Sequence, residues 1–228
     1  MEGRYLLNVK PLIGDEKLSR DALMVLDPVR LKKTQKVKKD SIKAQSIGAG
    51  LLLKYIWNLQ KQEEYAAKNH STIEVQKLSL PEVIDYLRDK ENPSYMVKQN
   101  GKPYFAYEND DRKKLMFSLS HSEKYVFIAC SDSEIGADIQ FCEAGVDSRK
   151  LVKRFFSEKE NLILEQMSDK DREKEFYRLW SKKEAYGKMM GTGMLPTLSM
   201  TMEDLSDVVD WEFYEQTENY VISVCKSK

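Results

Sequence analysis

The segment Trp180-Ser-Lys-Lys-Glu184-Ala-Tyr-Gly-Lys188 sets a carboxylate and an ammonium one helical turn apart. Trp180, Glu184 and Lys188 follow at i, i+4 and i+8, so in a helix they share one face. A Glu–Lys pair at that spacing is also an ordinary helix pair, worth about 0.2–0.5 kcal/mol. The chemical alternative is a carboxylate for a metal or a proton, with an ammonium beside it for a phosphate. A second pattern is Ile135-Gly-Ala-Asp138-Ile-Gln140. Aspartate inside an apolar strand is unusual, because strands deplete Asp and burial of a lone charge is costly. Asp138 and Gln140 point to the same face. A solvated edge-strand face would account for them. So would a hard cation such as Mg²⁺, which favours oxygen ligands and recruits phosphates to its shell. The third pattern is Phe117-Ser-Leu-Ser120-His121-Ser122, at a strand end, where His121 could bind a phosphate or cap a turn.

The elements that must position these residues are read from periodicity. Residues 4–9 form a first strand. Asp27-Pro28 starts a helix: the aspartate accepts from an orphan N–H, and proline suits the first turn. A second start near Asp40 opens a long amphipathic helix to about Ala67, carried by Ile42, Ala49, Leu52, Leu53, Ile56 and Leu59. Residues 60–100 are polar and less regular, with a short helix after Pro81 and turns at Asn92-Pro93 and Asn100-Gly101. The period then changes. Leu115–Leu119, Tyr125–Cys130 and Ile135–Ile139 read as a strand meander. Ser157-Glu-Lys-Glu160 fits a capping box. A second long helix runs from about Asp171 to Met190 and stops at Gly191 and Gly193. Trp211, Phe213, Tyr220, Ile222 and Val224 close the chain as a hairpin. The order repeats strand, long helix and strands. It predicts an α+β fold of two similar halves, 1–134 and 135–228.

Composition narrows the classes. The 228 residues include 37 Lys+Arg and 37 Asp+Glu, a formal net charge of zero. That balance disfavours a strongly basic nucleic-acid binder. The hydrophobic fraction is 41%, enough for a real core. The longest apolar run, Ile47–Leu53, is far below the roughly 20 residues a membrane helix needs. The N-terminus shows no secretory pattern. Cys130, Cys142 and Cys225 are too sparse and too widely spaced for a disulfide framework or a zinc knuckle. With only His70 and His121, a histidine-based metal site is nearly excluded. A cytoplasmic protein that meets neither membrane nor nucleic acid is expected.

Taken in order, the motifs resemble a known family. Phe117-Ser-Leu-Ser120-His121, Gly136-Ala-Asp138-Ile-Gln140, Arg154-Phe-Phe-Ser157 and Trp180-Ser-Lys-Lys-Glu184-Ala-Tyr-Gly-Lys188 look like the signature series of the 4′-phosphopantetheinyl transferases of the surfactin-synthetase-activating type. Asn100-Gly-Lys102-Pro103 and Asp27-Pro28 through Gly48-Ala-Gly-Leu-Leu-Leu53 extend the match. Residues 60–98 remain unmatched and form a longer stretch than the resemblance leads one to expect. The resemblance implies a pseudo-dimer of two α+β halves, each a small antiparallel sheet packed on a long helix, with coenzyme A in the cleft between them. It implies transfer of phosphopantetheine from coenzyme A to a serine of an apo acyl, polyketide or peptidyl carrier protein. The by-product is adenosine 3′,5′-bisphosphate, and a monomer suffices. By the same match, Asp138 and Glu184 hold Mg²⁺. Glu184, or a metal-bound hydroxide, takes the serine proton, and Lys188 stabilises the pyrophosphate. Arg30, Lys33, Ser46, Lys102, Ser120 and His121 match contacts to coenzyme A. Gln140 stands where the family has a third acid; it can offer a carbonyl to the metal but adds no charge. Gln45 stands where a basic residue is common. Lys150, Lys153 and Arg154, ahead of Phe155-Phe156-Ser157, are expected to steer an acidic carrier.

Three other readings use the same residues. The basic stretch Arg30, Lys32, Lys33, Lys36, Lys38, Lys39 could contact nucleic-acid phosphates, although no aromatic stacking pattern accompanies it. Asp138 and Glu184 could serve a Mg²⁺-dependent phosphohydrolase. Gln140 would suit an inactive relative that only binds a carrier.

Overall fold

A computed structural model describes residues 1–62, 74–98, 101–107, 114–143, 145–146, 148–216 and 219–228. They fold as two units: the described residues of 1–98 and 103–132 form one, and those of 99–102 and 133–228 the other. The architecture is α+β, with small, mainly antiparallel sheets packed by helices.

In the first unit, β1 (Gly3–Asn8) leads into two helices, α1 (Pro11–Gly14) and α2 (Glu16–Met24). Next comes α3 (Pro28–Gln35), whose start is capped by Asp27: its carboxylate accepts from the Val29 and Arg30 amides at 3.0 and 2.9 Å. The long helix α4 (Asp40–Gln60) buries Leu51, Leu52, Leu53 and Ile56 completely. Its predicted end at Ala67 lies outside the described residues. Lys54 is the charged residue buried in that helix. Its ammonium donates at 2.9 Å to the Val25 carbonyl at the end of α2, where helix polarity favours a cation. Then follow β2 (Gln76–Leu78), α5 (Leu80–Leu87), β3 (Tyr95–Val97), β4 (Pro103–Phe105), β5 (Met116–Ser122) and β6 (Tyr125–Ser131). The main sheet runs β2-β1-β6-β5, with β1–β2 parallel and the other pairs antiparallel; β3 and β4 form a separate hairpin.

The second unit holds β7 (Ile135–Phe141), α6 (Ser148–Phe155), α7 (Glu158–Glu165), α8 (Asp169–Met190), β8 (Val209–Gln216) and β9 (Tyr220–Ser227). Its sheet runs β7-β9-β8, antiparallel throughout. This corrects the predicted three-strand meander. β5 and β6 do pair as a hairpin, but β7 pairs with the chain's last strand in the other sheet. The capping box forms as read, with Ser157 and Glu160 satisfying one another's backbone donors. α8 ends at Gly191, whose φ of 70° is the left-handed cap that glycine accepts without strain. No helix among the described residues is long and apolar enough to cross a membrane.

Candidate active site

Strand alternation sends Gly136, Asp138 and Gln140 to one face of β7, and α8 lies on that face. Gly136 makes the approach possible. A methyl there would strike the Ala185 carbonyl oxygen and come within 2.7 Å of the Met189 nitrogen. Glycine in a strand commonly marks such a close backbone approach. The Ser181 hydroxyl donates to the Asp138 carbonyl at 3.5 Å, a second link between helix and strand.

The contact brings three of the singled-out residues together. Asp138 is 2% exposed, and its Oδ1 accepts from the Lys188 ammonium at 2.8 Å. Lys188 Nζ also lies 3.3 Å from Glu184 Oε1, one turn back along α8. Burial, and then the charge of Asp138, push the Glu184 carboxyl above its ordinary value, against the pull of Lys188. Burial disfavours the Lys188 ammonium, yet the two carboxylates together outweigh it and raise its pKa. Lysine therefore stays charged, while one carboxylate is held back from ionising. Gln140 sits on the same face of β7, half-buried, with its side-chain amide donating to the Phe141 carbonyl at 3.3 Å.

A second buried pair anchors α8 from behind. Lys183, fully buried, lies 2.7 Å from Glu160, the capping-box glutamate of α7. Its ammonium also donates to the Met200 carbonyl and sits 4.8 Å over the Phe156 ring. Burial lowers the Lys183 pKa, although Glu160 opposes the shift. Neither this anchor nor the role of Gly136 was foreseen from the motifs. A glycine inside a strand facing a long helix was the available signal for the latter.

Lys102 reaches the far end of the same helix. Its ammonium pairs with Glu134 at 2.8 Å and donates to the Met189 and Ile135 carbonyls at 3.2 and 3.4 Å. It thus caps the last turn of α8. The remaining residues belong to the first unit. Arg30 is 9% exposed on α3, its guanidinium 5.7 Å from the centre of the Tyr95 ring, while Lys33 stands exposed one turn on. Partial burial, and then the Arg30 charge, lower the Lys33 pKa. Ser46 is half-buried on α4. Next to it, the Gln45 amide donates at 2.8 Å to the Glu123 carbonyl in the β5–β6 turn, where Glu123 has a φ of 47°. Ser120 and His121 are consecutive on β5 and leave opposite faces, the serine buried and the histidine exposed.

Among the described residues, no three His, Cys, Asp or Glu side chains are grouped to hold a metal ion. Asp138 and Glu184 nonetheless suit a hard cation: both are oxygen donors, and the charge of one raises the pKa of the other. The Gln140 amide oxygen is a neutral third donor on the same strand face.

Residues 134–225, which contain this cluster, match the family described as the 4′-phosphopantetheinyl transferase superfamily. Over this segment the chain is similar to that superfamily. A 4′-phosphopantetheinyl transferase of Bacillus subtilis is 31% identical over 153 residues, covering 61% of this chain and 66% of that protein. The transferase Sfp of Bacillus subtilis strain 168 is 30% identical over 154 residues, again 61% and 66%. The transferase HetI of a Nostoc species is 34% identical over 110 residues, or 44% of this chain and 46% of that protein. The match thus spans about half of the cyanobacterial relative and just under two thirds of the Bacillus ones. Asp138, Gln140, Glu184 and Lys188 all fall inside the superfamily segment.

Proposed function

We propose that this protein transfers 4′-phosphopantetheine from coenzyme A to a serine of an apo acyl, polyketide or peptidyl carrier protein, with Mg²⁺, in the cytoplasm. The observation that carries the reading is the cluster of buried Asp138 with half-buried Lys188 and Glu184 inside the superfamily segment. In the reaction the serine oxygen forms a bond to the phosphorus of phosphopantetheine. The bond from that phosphorus to the bridging oxygen breaks, and adenosine 3′,5′-bisphosphate leaves. Glu184 takes the serine proton; burial and the Asp138 charge raise its pKa toward the range a general base needs. Lys188, kept charged by two carboxylates, stabilises negative charge as it develops on the pyrophosphate. Asp138 and Glu184, with the Gln140 carbonyl, would hold Mg²⁺, which when bound neutralises charge on the phosphoryl under attack and on the leaving bisphosphate. Arg30, Lys33, Ser46, Lys102, Ser120 and His121 are proposed contacts to coenzyme A. Residues 1–134 and 135–228 are read as the two halves of one monomeric enzyme.

The test is release of adenosine 3′,5′-bisphosphate from coenzyme A and Mg²⁺, followed by chromatography with and without an apo carrier. Release should require a carrier with its serine intact. Release without any carrier would mark a phosphohydrolase and contradict the proposal.

A further inference from the structure

β9 sets Ser223 directly across the ladder from Asp138. Opposed residues of an antiparallel pair leave the same face, with Cβ atoms about 4.5–5.5 Å apart. Ser223 is fully buried, and its hydroxyl has no hydrogen-bond partner. Its neighbours on that face of β9 are the buried Val221 and Cys225, and beyond it on β8 lies Phe213. A buried hydroxyl left unsatisfied bears its full desolvation cost, so alanine would serve the packing better. The group across from it is a buried carboxylate, held at 2.8 Å by a lysine that a phosphate would also attract.

We propose that Ser223 is a positioning residue for Asp138. When Lys188 turns toward a bound phosphate, the Ser223 hydroxyl donates to the Asp138 carboxylate and keeps it aimed at the cation. A hydroxyl bonded to a carboxylate makes a short, charge-assisted bond. The serine keeps its proton throughout, and no covalent step is involved. The inference rests on the reading of Asp138 as a Mg²⁺ ligand. Residues that orient metal ligands typically change affinity or activity by about 10–100-fold when removed.

The experiment compares the full chain with Ser223→Ala by thermal unfolding across a Mg²⁺ titration, beside a coenzyme A transfer assay over the same titration. Without Mg²⁺, Ser223→Ala should melt at the wild-type temperature or above, because the hydroxyl it removes has no partner. The Mg²⁺ concentration giving half of the thermal shift should rise about tenfold or more, with half-maximal transfer moving in step. A variant that melts lower without Mg²⁺, or does not fold, would overturn the proposal, since the hydroxyl would then have a structural partner. Superimposable Mg²⁺ responses, including none in either protein, would overturn it too. A wild type that responds to Mg²⁺ but loads no carrier would sink the transferase reading and leave the Ser223 result standing.

Discussion

Burial and the charge of Asp138 oppose the ionisation of Glu184, and that opposition has a measurable consequence. An isolated glutamate titrates near 4.5, and in the folded chain burial and then Asp138 raise that value. The folded state therefore binds this proton more tightly than the unfolded state. Its contribution to stability is fully present below the unfolded value and is lost as pH rises through the raised folded one. Glu184→Gln copies the protonated form. It should remove that loss and leave the protein at least as stable as wild type at neutral pH, while transfer falls by about 10²-fold or more. Thermal unfolding of both proteins from about pH 4 to 8 checks this, and parallel pH curves would contradict it. Lys188→Met should do the reverse. Asp138, 2% exposed, would lose its ammonium, and breaking a buried pair costs about 3–5 kcal/mol. Because Lys188 is 27% exposed, the lower end is expected, with a melting temperature down by about 6–12 °C. Gln140→Glu should lower the Mg²⁺ concentration for half-maximal transfer, since hard cations bind more tightly as ligand charge rises. An unmoved titration would remove Gln140 from the metal shell. At this scale, residue type and spacing alone singled out Asp138, Glu184 and Lys188. They could not show that Lys102 caps α8 or that Arg30 packs beneath Tyr95, because both depend on contacts between distant segments.

The closeness of α8 to β7 sets how near the three side chains come, and Gly136 sets that closeness. Gly136→Ala would place a methyl 2.8 Å from the Met189 Cβ and against the Ala185 carbonyl, which is backbone and cannot swing aside. Overpacking of this kind typically costs about 1–3 kcal/mol. The variant should melt lower and lose transfer in proportion as α8 lifts from the strand; wild-type melting and activity would show that the contact yields easily. Elements with local signals were legible. Ser157 and Glu160 announced the start of α7, and Gly191 the end of α8. Helices α1 and α2 were not read, because the run between Lys10 and Met24 mixes charges into short apolar pieces. The three-residue strand β2 was missed for a related reason. Its pairing is parallel to β1, and its pattern is too short to carry a period.

Across the whole chain the formal charge is zero, yet α6 presents Lys150, Lys153 and Arg154 in one helix. Lys153 is 71% exposed and only 3.7 Å from Glu165, a pair open to solvent. An acidic carrier should be steered by this cluster, and steering is screened beyond roughly 10 Å at 0.1 M salt. Lys150→Glu with Lys153→Glu should raise the KM for the carrier several-fold at low salt, shrinking toward wild type as salt rises, with the KM for coenzyme A unmoved. An unchanged carrier KM at low salt would place docking elsewhere. Which strands share a sheet was the least legible feature. β6 and β7 are nearly contiguous in the chain, and local alternation cannot tell that β7 pairs with the C-terminal β9. The family, by contrast, was legible, because its motifs are ordered along the sequence and lie on the elements that form the cluster. The most direct measurement of the central claim is the intact mass of an apo carrier after incubation with this protein, coenzyme A and Mg²⁺, beside Asp138→Ala. The wild type should add one phosphopantetheine mass to the carrier serine only when both coenzyme A and Mg²⁺ are present, and Asp138→Ala should add it at least about 10²-fold more slowly. No mass gain across fatty-acid, polyketide and peptide carriers, or equal loading by Asp138→Ala at low Mg²⁺, would contradict the account.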